Sequence, residues 1–258
     1  MKKLIVAVLV VTLLTSGLLV SCGGVLTGSG KLKTQEYDFS DFDKVEISSA
    51  FEFEINQSSS YSVSVTADDN VIEHVRVSKD GQTLKIGLGT IPRLGPVTLE
   101  AVVTIPQLRG LDISGASHGT VSGFSSTENL DIDLSGASSL DLVDISAGDA
   151  KFDISGARKI TGDLTTGDAE FDVSGASTVQ LEGSAGDIVV EASGASRVKL
   201  AGFTVNNANV NLGGASTGTV NLVGRLDANL SGASKLEYIG EPTMGTINTS
   251  GASTLSKK

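Results

Sequence analysis

A short motif recurs along the second half of the chain at nearly constant spacing. The motif is Ser-Gly-Ala-Ser or a close variant, and its eight copies lie 18 to 21 residues apart. Alanine follows each of the motif glycines, which are Gly115, Gly136, Gly156, Gly175, Gly194, Gly214, Gly232 and Gly251. Because self-similarity at a fixed period is the signature of stacked repeats, the chain is predicted to be a solenoid with one coil per motif.

The sequence on either side of each motif alternates between apolar and polar residues. Phe152-Asp153-Ile154-Ser155 and Val179-Gln180-Leu181 are two examples. A period of two is typical of strands with one buried face. A unit of about 19 residues at ~3.3 Å per residue has a contour of roughly 60 Å, which matches one coil around a narrow apolar core. The 31 glycines disfavour helices, and the 40% hydrophobic content disfavours disorder.

These patterns predict an all-β fold, a right-handed parallel β-helix, since crossovers between parallel strands are right-handed. Each motif glycine is expected to form a corner with positive φ. The following alanine is expected to face a narrow interior edge, and the motif serines are expected to form hydroxyl ladders between coils. A left-handed β-helix is the main alternative, but its six-residue rhythm is absent from the sequence. A propeller blade would need about 40 residues.

Residues 36–110 are predicted to form an irregular N-terminal β cap with early coils, ahead of a regular β-helix over residues 111–258. Together, residues 36–253 are expected to be one domain. Ser48-Ser49-Ala50 resembles a degenerate corner, and Lys79-Asp80-Gly81-Gln82 predicts a hairpin. Residues 67–74 are expected to form a short helical turn or an irregular loop.

The N-terminus has the layout of a secretory signal peptide, which we assign to residues 1–21. A basic start at Lys2 and Lys3 precedes an apolar run from Leu4 to Leu14. The alternative is a transmembrane anchor, for which this apolar stretch is at the short limit. Residues 22–35 are rich in Gly, Ser and Thr at their start and are predicted to be a flexible tether.

The signal ends in Leu19-Val20-Ser21-Cys22, which resembles the bacterial lipobox. That resemblance implies cleavage before Cys22, a diacylglycerol on its sulfur and an acyl chain such as palmitate on its new amino group. Cys22 is the only cysteine, so no intramolecular disulfide can form. Several acyl chains give durable anchoring. The mature protein is therefore expected to cross the inner membrane and be lipid-anchored at the cell envelope, at the outer membrane or cell surface.

The formal net charge is −11, and loss of Lys2 and Lys3 with the signal peptide takes it to −13. This charge argues against binding nucleic acid, or an anionic membrane, through bulk electrostatics.

Two polar columns follow the repeat. The first lies three residues before each motif glycine: Asp112, Asp133, Asp153, Asp172, Glu191, Asn211, Asn229 and Asn248. The second is Asp149, Asp168 and Asp187. Stacked carboxylates can recruit Ca²⁺, but the change from Asp to Asn favours a solvated outer face that blocks edge aggregation. No metal ligand and no cofactor is therefore assigned.

Catalysis is the competing possibility, because parallel β-helices also host pectin-degrading enzymes. Asp153, Asp172, Arg158 and Arg197 could share one face. Few long insertions and an aromatic content of 4% argue against a walled sugar-binding groove. His74 and His118 are isolated and are expected in surface loops. No catalytic residue is assigned.

The segment from Val45 to Ile55, then Asp68-Asp69-Asn70, Leu84-Lys85-Ile86 and the first repeat motif resemble the GIN domain, the head domain of auto-transporter adhesins. The resemblance implies a right-handed β-helix in an envelope lipoprotein, with no catalytic residues. We therefore expect a non-catalytic, adhesin-like module that presents a repetitive polar surface to glycans, to other surface proteins or to its own copies through an open edge near Leu255. The alternative is a β-helix enzyme resembling a polyuronide lyase or hydrolase. A groove with converging Asp and Arg would favour the enzyme.

Overall fold

The computed structural model describes residues 25–91 and 93–258. The predicted signal peptide and Cys22 lie outside the described residues. Within the described part of the chain, no helix is long and apolar enough to cross a membrane.

Strands make up most of the described chain. The N-terminal part holds seven strands and a single 3-10 turn, Ile72–His74: β1 Leu32–Tyr37, β2 Lys44–Ile47, β3 Glu52–Gln57, β4 Ser62–Asp68, β5 Val75–Asp80, β6 Thr83–Leu88 and β7 Leu99–Ile105. The repeat region holds β8 Gly110–Ile113, β9 His118–Ser122, β10 Leu130–Leu134, β11 Ser139–Ser146, β12 Ala150–Gly156, β13 Lys159–Thr165, β14 Ala169–Gly175, β15 Thr178–Ser184, β16 Ile188–Ala192, β17 Arg197–Val205, β18 Ala208–Leu212, β19 Thr217–Leu222, β20 Arg225–Leu230, β21 Lys235–Ile239, β22 Thr243–Thr249 and β23 Thr254–Lys257.

The strands form two sheets that face each other across one core. From β8 onward, even-numbered strands stack in parallel in one sheet (the even sheet, which also contains β2, β6 and β5). Odd-numbered strands stack in the other (the odd sheet, which also contains β1, β4, β7 and β3). Successive coils are about 20 residues apart. The predicted fold class, a parallel β-solenoid, is confirmed.

Alternation along each strand creates the core. In β12, Phe152 and Ile154 are fully buried while Lys151 and Asp153 are exposed. Register then aligns equivalent residues, so Phe152 lies opposite Phe171 with ring centroids 4.9 Å apart and nearly parallel planes. Burying one such side chain contributes about 1.5–3 kcal/mol. Stacked coils therefore share one continuous apolar interior.

Each motif glycine turns the chain from the even sheet to the odd sheet with positive φ, as predicted. At seven of the eight corners, the alanine that follows donates its backbone N–H to the corner carbonyl of the preceding coil, as Ala195 does to Gly175 at 2.7 Å. A Cβ on Gly194 would lie only 2.5 Å from that same carbonyl oxygen. The predicted degenerate corner is also present: Ser49 has φ of +86° and accepts from Ala116 at 2.6 Å.

Two expectations about the corner were wrong. The motif alanines are exposed, and the residue after each of them points inward instead; Ser196, for example, is fully buried. Its hydroxyl donates to the carbonyl oxygens of Ser193 at 2.7 Å and Val173 at 3.2 Å. Because a buried hydroxyl needs a partner and backbone carbonyls are the nearest acceptors, these serines bond to the backbone instead of forming hydroxyl ladders.

Antiparallel strands close the N-terminal end of the stack. β4 pairs with β1 and β7, and β5 pairs with β6 through the predicted hairpin, in which Gly81 has φ of +58°. β6 and β7 also pair in parallel with β2 and β3, which places them in the stack out of chain order. These antiparallel pairs form a β cap at this end of the solenoid.

The described part of the expected tether is docked on this cap. Asp68 is 2% exposed, and its carboxylate accepts from the backbone N–H groups of Gly30 at 2.7 Å and Thr98 at 2.8 Å. The backbone N–H of Leu26 donates to the carbonyl of Arg93 at 3.0 Å. These bonds satisfy the backbone of a Gly/Ser segment that would otherwise be free, so residues 26–35 differ from the flexible-tether prediction.

Candidate binding surfaces

The first predicted polar column runs along the outer face of the even sheet. Its members pair in strict register from Asp112 to Asn248, and Glu46 extends the column by one coil at the cap end. Neighbouring strands in a sheet are ≈ 4.7–4.9 Å apart, so the side chains form a regular polar array. The sequence predicted the column but missed Glu46, whose register is visible only once β2 is paired with β8.

Carboxylates in this column influence one another. Burial raises the pKa of Asp112, and the neighbouring charges of Glu46 and Asp133 raise it further. Burial likewise raises the pKa of Asp133, with added effects from Asp153 and Asp131. Among residues 25–91 and 93–258, no group of three or more metal-ligating side chains has the geometry to hold an ion. The column is thus a row of carboxylates that changes to amides toward the C-terminal end.

The second predicted column is a hydrogen-bonded ladder that is longer than predicted. At each step of the ladder, the side-chain Oδ1 atom of one residue accepts a hydrogen bond from the backbone N–H of the equivalent residue one coil later. The donor–acceptor distances are 2.8 to 3.2 Å. The acceptors are Asn129, Asp149, Asp168, Asp187 and Asn207. Asparagine serves as well as aspartate because only the side-chain oxygen is used. Asn129 and Asn207 lie outside the predicted column, because that prediction included carboxylates alone.

An open groove of about 360 Å³ lies beside this ladder. Its floor includes the buried alanines Ala150 and Ala169. The Asp ladder lines one side, and Lys151 and Glu170 line the other, with Nζ and Oε1 3.2 Å apart. Small side chains on the floor and long ones at the rim produce a shallow channel along the coil axis.

The suggested catalytic constellation is not assembled. Asp153 and Asp172 lie next to each other on the even sheet, as their register requires. Arg197 begins β17 in the odd sheet, and Arg158 is buried at a corner with 5% exposure. The expectation that these four residues could share a face was wrong, because the corner separates the acids from both arginines.

A different groove does bring acids and an arginine together, at the junction of the cap and the first coils. It has a volume of about 380 Å³ and is lined by Asp43, Arg109 and Asp131 together with Lys44, Gln82 and Asn129. The Arg109 guanidinium lies 3.8 Å from the carboxylate of Asp43 and 3.1 Å from that of Glu128. The Oδ1 atom of Asp43 is buried with no hydrogen-bond partner among the described residues.

The two histidines each lie 3.8 Å from a glutamate carboxylate, His74 from Glu73 and His118 from Glu52. His74 ends the 3-10 turn and His118 begins β9, so both belong to regular elements and not to the loops predicted for them.

Several solved structures share this fold. One from Parabacteroides distasonis, described as a putative lipid binding protein, has a TM-score of 0.85 at 19% identity and covers 91% of this chain and 100% of its own. A putative adhesin from Parabacteroides merdae has a TM-score of 0.79 at 18% identity. The match covers 90% of this chain and 98% of the adhesin. A putative adhesin from Bacteroides fragilis has a TM-score of 0.70 at 20% identity. The match covers 90% of this chain and 100% of the adhesin. These likenesses show the fold alone, and a search of the curated proteins found no match.

A family model described as "Putative auto-transporter adhesin, head GIN domain" matches residues 41–242, which run from just before β2 to just after β21. The chain therefore belongs to the GIN domain family.

Proposed function

We propose that this protein is a non-catalytic, lipid-anchored binding module of the bacterial envelope, and that it binds through the outer face of its solenoid. The observation that carries the proposal is the unbroken register of the polar column from Glu46 to Asn248. Side chains at constant spacing along a rod suit an extended ligand that makes the same contact repeatedly. A flat array of this kind offers avidity by repetition.

The family and its structural relatives support this proposal at a coarser level. The family is described as an adhesin head, and two of the similar structures are described as adhesins. Such proteins act at the cell surface or in the envelope. The description of one similar structure as a lipid binding protein makes a lipid the competing ligand class.

The first experiment tests whether the outer face of the even sheet binds a ligand. The chain from residue 23 onward is screened on a glycan array and on vesicles, beside a variant carrying Asp153→Ala, Asp172→Ala and Glu191→Ala on the even sheet. A matched control carries Gln180→Ala, Lys199→Ala and Thr219→Ala on the odd sheet. We expect a glycan hit that the first variant loses and the control keeps. Equal loss in both variants, or binding to vesicles alone, would overturn the assignment.

The second experiment tests the anchor. Full-length protein expressed in a Gram-negative host is analysed by mass spectrometry and by detergent partitioning, beside Cys22→Ser. We expect cleavage before Cys22, an added mass for a diacylglycerol and an acyl chain, and partition into the detergent phase. An unmodified Cys22, or a variant that partitions like the wild type, would contradict lipid anchoring.

One observation favours a second candidate function, a carbohydrate-active enzyme. The junction groove brings together Asp43, Asp131 and Arg109, and clustered acids with a cation are what polyuronide chemistry requires. The direct test measures absorbance of unsaturated products and release of reducing sugar on a panel of polyuronides. The wild type is compared with Arg109→Ala and Asp131→Asn. Turnover abolished by both substitutions would replace the binding proposal with the enzyme, and no turnover on any polymer would remove it.

A further inference from the structure

One corner of the solenoid departs from the other seven. Arg158 occupies the position where the other motif copies have serine, and it is 5% exposed. Its Nε and Nη1 atoms are buried and have no hydrogen-bond partner within the described part of the chain. No carboxylate oxygen among the described residues lies within 4.0 Å of it. The corner thus holds a buried cation without a counter-charge.

The arginine side chain is wedged against its own corner glycine. A Cβ on Gly156 would lie 2.1 Å from Nη1 of Arg158, whereas at the next corner the nearest atom to such a Cβ is the carbonyl oxygen of Gly156. Gly156 has φ of +116°, while the other seven motif glycines lie between +69° and +87°. The backbone at this corner has therefore been displaced from the common geometry.

At this corner, one hydrogen bond is missing from the backbone ladder that joins successive corners. At seven corners the motif alanine donates to the preceding corner carbonyl at 2.6 to 2.8 Å, but no such bond joins Ala157 to Gly136. The neighbouring bond from Lys159 to the carbonyl of Ser138 is stretched to 3.3 Å. The N–H of Ala157 therefore has no hydrogen-bond partner among residues 25–91 and 93–258, and Ala157 is exposed.

Three donor groups without a described partner therefore belong to one corner of the ridge: Nε and Nη1 of Arg158 and the backbone N–H of Ala157. Buried charges in proteins are paired or hydrogen-bonded because an isolated buried charge is costly. A guanidinium offers a planar fork of donors that matches the oxygens of carboxylate, sulfate and phosphate groups. Ala137 and Ala157, the motif alanines on either side of this gap in the ladder, are small and exposed.

We propose that the corner at Arg158 is an oxyanion-binding site, in which the guanidinium and the backbone N–H of Ala157 together hold a carboxylate, sulfate or phosphate group. The site lies on the corner ridge, apart from the polar column and the two grooves described above. It does not depend on the proposed adhesin-like function.

The test is a titration of ¹⁵N-labelled protein, residues 23–258, with sodium sulfate and with glucuronate, each against sodium chloride at matched ionic strength. We expect a saturable shift of the Ala157 amide resonance and a rise in Tm that chloride does not produce. Glucuronate oligomers in a parallel arm separate a free ion from a group carried on a polymer: tighter binding of the oligomer indicates the polymer.

Arg158→Ser restores the serine of the other corners, so the variant is expected to fold, and it should bind both anions at least tenfold more weakly. Arg158→Lys should retain part of the response. Arg197→Ser, which replaces an exposed arginine two coils further on, should respond like the wild type. An Ala157 resonance that does not respond to either anion would overturn the proposal, and so would an unchanged response in Arg158→Ser.

Discussion

The carbonyl oxygen of Gly194 accepts a 2.8 Å hydrogen bond from the backbone nitrogen of Ala215, and it also occupies the space that a side chain on Gly214 would need. One contact thus joins two coils and fixes the residue type at the corner. The same arrangement recurs along the ridge, where glycine meets both the positive φ and the close approach of the previous coil.

Gly214→Ala should therefore destabilise the protein strongly. Gly214 has φ of +69°, and an added Cβ would lie 2.6 Å from the Gly194 oxygen. We expect a loss of at least about 2 kcal/mol in the free energy of unfolding, measured by urea denaturation. The matched control is the adjacent Gly213→Ala, where the nearest atom would lie 3.6 Å away and φ is unexceptional. Similar losses in both variants would contradict this account of the corner.

Ser196→Ala should show the value of the buried corner hydroxyl. The substitution removes donation to the carbonyls of Ser193 and Val173 and leaves those acceptors with fewer partners. A loss of about 1 kcal/mol is expected by thermal or chemical denaturation. Ser193→Ala, at an exposed position of the same motif, should change stability by less than half as much. An equal effect of the two substitutions would mean that the hydroxyl bonds are unimportant.

Asp168 should tolerate an amide but not truncation. Its Oδ1 atom accepts from the backbone N–H of Asp187 at 2.8 Å, and an asparagine oxygen can do the same. Asp168→Asn should leave the Tm unchanged or raise it, because repulsion along the ladder falls. Asp168→Ala should lower the free energy of unfolding by about 1 kcal/mol. If both variants are destabilised alike, then charge and not hydrogen bonding holds the ladder.

The polar column makes stability depend on pH. Burial raises the pKa of Asp133 above its ordinary value, and the charges of Asp153 and Asp131 raise it further. Because the folded protein then holds this proton more tightly than the unfolded chain does, this residue's contribution to stability falls as pH rises through the range just above the ordinary aspartate pKa. Asp153→Asn should lower the pKa of Asp133 and reduce that fall.

The measurement is a carboxyl ¹³C titration of Asp133, combined with urea denaturation across the acidic range. Asp141→Asn, on the odd sheet, is the control and should leave the pKa of Asp133 unchanged. If the pKa of Asp133 is the same in Asp153→Asn and in the wild type, then the column carboxylates do not interact.

Arg158→Ser should raise stability. It removes a desolvated cation, and it allows the bond from Ala157 to Gly136 to form as it does at the other corners. We expect a higher Tm in chloride buffer, where no oxyanion is present. A lower Tm would mean that the wedge stabilises the corner in a way that its contacts do not reveal.

The repeat made the fold predictable. Motif spacing and alternation around residues such as Phe152 determine which side chains face inward. The register of pairs such as β12 and β14 follows from the nearly constant coil length. The facing of the corner residues was not predictable in the same way. Whether Ala195 or Ser196 points inward depends on the backbone turn at Gly194, and strand periodicity does not extend through a residue with positive φ.

The surface features that depend on strand register were predictable from the sequence, and those that depend on non-local pairing were not. The first polar column follows from strand register and was predicted in full except for Glu46, whose strand joins the stack through a non-local pairing with β8. The junction groove at Asp43 and Arg109 was not predicted, because its residues come from parts of the chain that only the out-of-order cap brings together. Arg158 was visible as a break in the motif, but its burial was not.

The nearly constant length of the coils has a consequence for how such a rod can evolve. Each unit contacts only its neighbours, so deletion of residues 176–194 would join Gly175 directly to Ala195 and leave the motif and the register of the even sheet intact. Duplication of the same segment would lengthen the rod by one coil, roughly 4.8 Å. The distance that the protein reaches can thus be adjusted by whole-unit recombination without redesign of the interior.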